Sequence, residues 1–334
     1  MYRLFFGLTM LSLAPTAWGH IYYVDATLGD NVQDGQSEAT AWKTVAKVNA
    51  TALQPGDTVL FKSGETWHEK LVVPSSGAVG APITFGAYRA GAKPRLDGLT
   101  DASALPYTWA LAASLSDASK KVWYLTNSAS GFMWYFAAIE EGGLAQRMRY
   151  KGGDFAAGQS LLDHEYARIN TTPDYGQWTF YVRSDAGSPG SDGRTVYLAR
   201  DFSTMIDSNG QNHIVIDGLA VRGGVAAHGT SAILLRNSEF VTVRNSEVYF
   251  SKIAIGTLAP VPTGGPHYYA RHSTIERNSV HDNLEDGIYF WGRSSYNVIR
   301  DNDVYDNWTL AGGGGDEIGD RVGIGFMASS PSVP

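Results

Sequence analysis

Residues 274–283 read TIERNSVHDN, and 24 positions later residues 298–307 read VIRDNDVYDN. Looser copies precede them, VTVRNSEVYF at 241–250 and IVIDGLAVRG at 214–223. Aligned on the central Asn, the series places Gly218, Asn245, Asn278 and Asn302 in one column, at spacings of 27, 33 and 24 residues. A period between about 20 and 50 residues marks a stacked repeat, in which each unit buries its apolar face against the next. The unequal spacing assigns an inserted loop to TLAPVPTGGPHYYAR, residues 257–271.

No helical period runs through these units. Val241, Val243, Ile275 and Ile299 alternate with polar residues, and Val248, Val280 and Val304 begin a second short strand after the Asn. Asn suits such a corner because it tolerates the left-handed backbone, and its amide can bond to the Asn of the coil above or below. KIAIGT (252–257), DGIYFWG (286–292) and VGIGFM (322–327) supply a third strand per unit. Three strands separated by bends form a triangular rung.

On these rungs, clear over residues 213–327, the chain resembles the right-handed parallel β-helix superfamily typified by pectate lyases. The expected class is all-β: a right-handed parallel β-helix solenoid with an N-terminal capping helix and an inserted β-hairpin elaboration. The VDATLGD, DGQS and AWKT segments, an amphipathic stretch at Thr44 to Asn49 and PGDTVLFKSGETW resemble the cap and first coils of secreted bacterial β-helix proteins. Val59, Leu60 and Phe61 form a strand after the turn Pro55-Gly56-Asp57, and APITFGAY forms another. A helix over the open end shields the unpaired edge. VWYLTN, FMWYFAAIEE, WTFYVRS and TVYLARD read as hairpin strands projecting from the solenoid. The expected division is a signal peptide at 1–19, cap and first coils at 20–99, the elaboration at 100–205 and repeat coils at 206–334. The coils stop at GIGFMASSPSVP, directly after a third-type strand, which suggests a fragment of a longer β-helix.

The first nineteen residues, MYRLFFGLTMLSLAPTAWG, carry an early Arg3, an apolar run and the small residues Ala17 and Gly19, the pattern of a secretory signal. The expected location is extracellular, periplasmic or at the cell surface, for a monomer with no membrane span. With no cysteine there is no disulfide framework, thiolate nucleophile or cysteine-based zinc site. A formal charge of −7 argues against nucleic acid as a partner.

The superfamily resemblance implies a long carbohydrate lying beside one stack of strands, with outward side chains carrying the chemistry. The first reading is a lyase acting on an acidic, uronate-containing polysaccharide by β-elimination, which needs a base for the proton alpha to the carboxyl group. Ca²⁺ or basic residues would neutralise the carboxylate, and no organic cofactor is needed. On EDGIYFWGR, Ile288 and Phe290 should face inward, turning Tyr289 and Trp291 outward beside Asp286 and Arg293. Candidate catalytic residues are Lys252 or Arg271 as base, with Asp286. Tyr289, Trp291, Arg293 and His272 would bind sugar, and Glu285, Asp316 and Asp320 would hold Ca²⁺. Each of these also reads as part of an ordinary solvated face. His281 with Asp282, and Asp303 with Asp306, read as turn residues that satisfy backbone donors. GGGGDEIG at 312–319 and LLDHEY at 161–166 read as loops.

Several family motifs are missing. There is no DD with GHG as in polygalacturonases, no RxPxxR segment and no DPHD-like epimerase motif. A glycoside hydrolase on the same fold, using paired carboxylates, and a non-catalytic carbohydrate-binding or adhesion solenoid are the two alternatives.

Overall fold

The computed structural model describes residues 19–102, 108–127, 137–141, 144–150, 161–162, 165–170, 178–199, 204–224, 231–257, 268–307 and 323–328. Three parallel sheets run the length of the solenoid. The first holds, in spatial order, Ile21–Val24, Thr58–Lys62, Ile83–Tyr88, Ile214–Asp217, Val241–Arg244, Thr274–Glu276 and Val298–Arg300. The second holds Thr66–Trp67, Arg95–Asp97, Ala220–Arg222, Glu247–Tyr249, Ser279–His281 and Asp303–Tyr305. The third holds Leu71–Val72, Ile206–Asp207, Ile233–Leu234, Ile255–Thr257, Ile288–Gly292 and Ile324–Ala328. KIAIGT, DGIYFWG and VGIGFM each supply a strand of the third sheet, as the repeat requires.

Register stacks like on like inside. Ile206, Ile233, Ile255 and Ile288 pair in one column of the third sheet, and Phe85, Ile216, Val243 and Ile275 pair in one column of the first. All eight are at most 1% exposed and belong to a single core. Each buried side chain of this size contributes about 1.5–3 kcal/mol, so every coil carries its own share of stability.

The corners divide between two residues the work that the sequence assigns to one Asn. Positive φ falls on Gly218 (73°), Asn245 (51°), Arg277 (53°) and Asp301 (55°). The amide ladder occupies the next position. Asn278 Oδ1 accepts the Ser246 N–H at 3.0 Å, and Asn302 Oδ1 accepts the Asn278 N–H at 3.0 Å. Asn245 therefore shares a column with Gly218 and Arg277, not with Asn278. The bend between the second and third sheets repeats the device: Phe250, Asp282 and Asp306 take positive φ, followed by Ser251, Asn283 and Asn307, which are linked in the same way. The ladder satisfies backbone donors that the bend turns away from the strands.

A short α-helix, Val45–Asn49, is N-capped by Thr44, whose hydroxyl accepts the Lys47 N–H. Val45 and Val48 are buried in the main core. Just before it, the Trp42 N–H donates to the Tyr23 carbonyl and the Asp25 N–H donates to the Trp42 carbonyl, so the outer edge of the first strand is paired.

Beyond Asp97 the chain leaves the coil and rejoins it at Thr204. In between, Leu99–Asp101, Arg194–Ala199, Ala137–Glu141 and Leu144–Arg147 form one antiparallel sheet. Ala110–Leu111, Val122–Asn127, Trp178–Arg183, Glu165–Asn170 and Arg149–Tyr150 form a second, antiparallel except for its last pair. Leu125, Ile139, Phe180, Val196 and Leu198 give the two sheets a core of their own. The excursion stands at the bend between the second and third sheets.

Candidate functional site

The outer face of the second sheet carries a continuous row of functional side chains. Pairing places Asp97, Arg222, Tyr249, His281 and Tyr305 in one outward column, one residue per coil. A parallel outward column holds Arg95, Ala220, Glu247, Ser279 and Asp303. The row emerges from beneath the excursion. Arg222 is 2% exposed, the His281 side chain 14% and Tyr305 48%.

At the deep end, the Arg222 Nε donates to Asp97 Oδ2 at 2.9 Å, and its guanidinium lies 4.3 Å from the Tyr197 ring of the excursion. Arg95 Nε also faces Asp97, at 3.5 Å. Burial raises the Tyr197 and Tyr249 phenols above the usual tyrosine range, so both stay protonated.

Further along, His281 stands between two carboxylates. Its Nδ1 is 2.9 Å from Asp282 and its Nε2 is 3.2 Å from Glu247. The ring is stacked between Tyr249 at 5.4 Å and Tyr305 at 5.0 Å. Burial opposes the imidazolium, but the hydrogen bonds to Asp282 and Glu247 outweigh it and push His281 up to about 9. The same hydrogen bond holds Glu247 below the usual carboxylate range, against its own desolvation. At neutral pH the face thus presents an ionised Glu247 beside a protonated His281. Asp303 lies two coils further along the same column as Glu247, with the small Ser279 between them. Two strand spacings amount to about 9.5 Å. The Asp303 carboxylate is exposed, with no hydrogen-bond partner among the described residues.

The residues singled out in the sequence scatter around this face. Lys252, Glu285 and Asp286 occupy the bend that continues from His281–Asp282 into the third sheet. There Lys252 Nζ lies 3.2 Å from Glu285, and the two side chains are only 13% and 19% exposed. Asp286 is 6% exposed. Tyr289 and Trp291 face outward as expected, away from Ile288 and Phe290, but Tyr289 is 7% exposed because Ile253 and Trp291 pack against it. Arg271, His272 and Arg293 lie at the other end of the third-sheet strands. Arg271 faces Glu239 at 3.7 Å and the Tyr269 ring, and His272 is stacked between Phe240 and Tyr296. Lys252 and Arg271 therefore flank opposite ends of Ile255–Thr257 and do not converge. Asp316 and Asp320 lie outside the described residues. Among the described residues no three His, Asp or Glu side chains could hold one metal ion, and Glu285 is committed to Lys252, so no step is assigned to Ca²⁺.

The sequence reading passed over Glu247, Tyr249, Tyr305 and Arg222, and took His281–Asp282 for turn chemistry. The available signal was the spacing itself: Glu247, Ser279 and Asp303 each follow the ladder position by one residue, which puts them on one outward column.

The stacked parallel sheets define a right-handed parallel β-helix protein. Residues 204–333 match the family of right-handed β-helix regions. The chain is similar to a lacto-N-biosidase of Bifidobacterium longum subsp. longum, 39% identical over 77 residues, which is 22% of this chain and 5% of that protein. The structure of XylC with xylose superposes on 86% of this chain and 53% of its own, with a TM-score of 0.59 and 14% identity. The GH136 lacto-N-biosidase of Eubacterium ramulus covers 82% of this chain and 44% of its own, with a TM-score of 0.38 and 18% identity. The chain thus spans about half the length of the structures it matches and a small part of the curated relative.

Proposed function

We propose that this protein is a glycoside hydrolase whose saccharide lies along the outer face of the second sheet. The observation that carries the reading is the ionised Glu247, held by the His281 imidazolium on an open face, with a second carboxylate, Asp303, two coils away. Two coils set the backbone positions of Glu247 and Asp303 about 9.5 Å apart, a spacing wide enough for a water between the side chains and in keeping with inversion rather than retention. In this mechanism Glu247 removes a proton from the water attacking the anomeric carbon. The glycosidic C–O bond breaks, and Asp303 supplies the proton that the leaving oxygen takes up. Tyr305, stacked on His281 and half exposed, is the platform for a sugar ring. His281 acts as a positioning residue through Glu247. Similarity to a lacto-N-biosidase supports hydrolysis over β-elimination, and the pairing of Lys252 with Glu285 occupies the first of the two bases the lyase reading would use.

The test is product release from a panel containing lacto-N-biose-bearing oligosaccharides, xylo-oligosaccharides and uronate polymers. Reducing ends are followed alongside absorbance near 232 nm, and the product anomer is read by NMR. Hydrolysis with inversion, lost in both Glu247→Gln and Asp303→Asn, is expected. Unsaturated uronate at 232 nm without dependence on Glu247 would overturn the reading.

A further inference from the structure

The first coil carries a buried acid with an incomplete set of partners. Ile21 lies opposite Thr58 in the parallel pair that starts the first sheet, which brings His20 beside Asp57. The Asp57 side chain is 1% exposed. Its Oδ1 accepts the His20 backbone N–H at 2.7 Å, and its Oδ2 accepts the Gln54 N–H at 2.8 Å. Among the described residues the one basic side chain facing it is the His20 imidazole, with Nδ1 at 3.5 Å and the side chain 57% exposed. A carboxylate withdrawn from water is costly unless a charge as well as hydrogen bonds compensates it.

The backbone nitrogen that already touches Asp57 belongs to the residue that follows an export-type leader. Arg3 and the apolar run precede Ala17 and Gly19, the third and first residues before the Gly19–His20 bond, where small side chains mark a cleavage site. We propose that the chain is cut between Gly19 and His20, and that the α-ammonium group so created is the cationic partner of Asp57. Water adds across the peptide bond: Gly19 leaves with a carboxylate, and the His20 nitrogen becomes an ammonium. That nitrogen stays within hydrogen-bond reach of Oδ1 but changes from a neutral amide to a charged donor, which makes a shorter bond of roughly twice the strength. Gly19 fits the same account. A Cβ at position 19 would lie 1.8 Å from the Gly56 carbonyl oxygen, so the uncut chain passes this coil only because residue 19 has no side chain. Processing removes that constraint and completes the first coil in one step.

The test begins with the intact mass of the exported protein, expected to correspond to a chain starting at His20. Chains starting at His20 and at Gly19 are then compared by urea unfolding at neutral pH, each with Asp57 and with Asp57→Asn. The extra glycine is expected to lower the folding equilibrium constant about tenfold when Asp57 is present and less than twofold in the Asp57→Asn background. A mature terminus elsewhere, equal losses in both backgrounds, or no loss in either would overturn the proposal. If the Asp57→Asn chains do not fold, acetylation of the α-amine decides. The folded chain starting at His20 should react at least tenfold more slowly than its urea-unfolded form, and equal rates would refute the ion pair.

Discussion

Replacing His281 by Gln tests whether the charged pairing on the second sheet exists as described. The imidazole is raised from an ordinary 6.5 to about 9, so it stays charged in the folded protein through neutral pH. A group raised on folding stabilises fully below its unfolded value, here about 6.5, and that contribution disappears as pH rises through about 9. The difference corresponds to about 3 kcal/mol at most. The partner carboxylates Glu247 and Asp282 are 38% and 35% exposed, and solvent screening there brings the expectation down to about 2 kcal/mol. The lowered Glu247 is the same interaction seen from its partner and adds nothing further. Histidine-detected NMR titration should show one imidazole with a midpoint near 9, absent in His281→Gln. Urea unfolding should show the variant less stable at pH 6, with the gap smaller by about 2 kcal/mol at pH 10, where only the lost stacking on Tyr249 and Tyr305 remains. An imidazole midpoint near 6.5, or an equal gap at both pH values, would refute the reasoning.

Three further outcomes follow from the solenoid. Asn278→Ala removes the acceptor for the Ser246 N–H and the donor to the Val243 carbonyl at a buried corner, and should cost about 2–4 kcal/mol in chemical denaturation. Gly218→Ala meets no atom within 4 Å but keeps a φ of 73°, so its cost, about 1 kcal/mol in the same assay, isolates the left-handed backbone. Lys252→Ala loses its contact with Glu285 and should lower stability by about 1 kcal/mol, whereas a β-elimination base at this position would require all turnover to vanish with it.

The fold was legible because a solenoid repeats its instructions. Alternating Val and Ile at fixed offsets from each Asn gave the strands, and three such runs per unit gave the three sheets. The corner was legible only to within one residue. Aligning copies by the identity of the Asn put Asn245 over Asn278, whereas hydrogen bonding pairs Asn245 with Arg277, because the chain needs a left-handed residue before the ladder and Asn can serve in either place. The candidate site was harder to see because Glu247 lies 34 residues before His281 and 56 before Asp303, and they meet only through register. His281 and Asp282 looked like turn residues, and Asp282 does take a left-handed φ of 53°. Glu247, one coil away, makes them part of a charged triad. The outward turn of Tyr289 and Trp291 followed from alternation, but their packing against Ile253 depends on how the bend folds back over the third sheet.

The central claim is that Glu247 and Asp303 together cleave a glycosidic bond. The most direct measurement is turnover of the best substrate from the saccharide panel by the wild-type protein, Glu247→Gln and Asp303→Asn, with folding checked by circular dichroism. The account predicts that each variant folds and loses at least about a hundredfold in kcat, the lower end of what a general base or acid contributes. Turnover within tenfold of wild type in either folded variant would contradict it and move the chemistry off the second sheet.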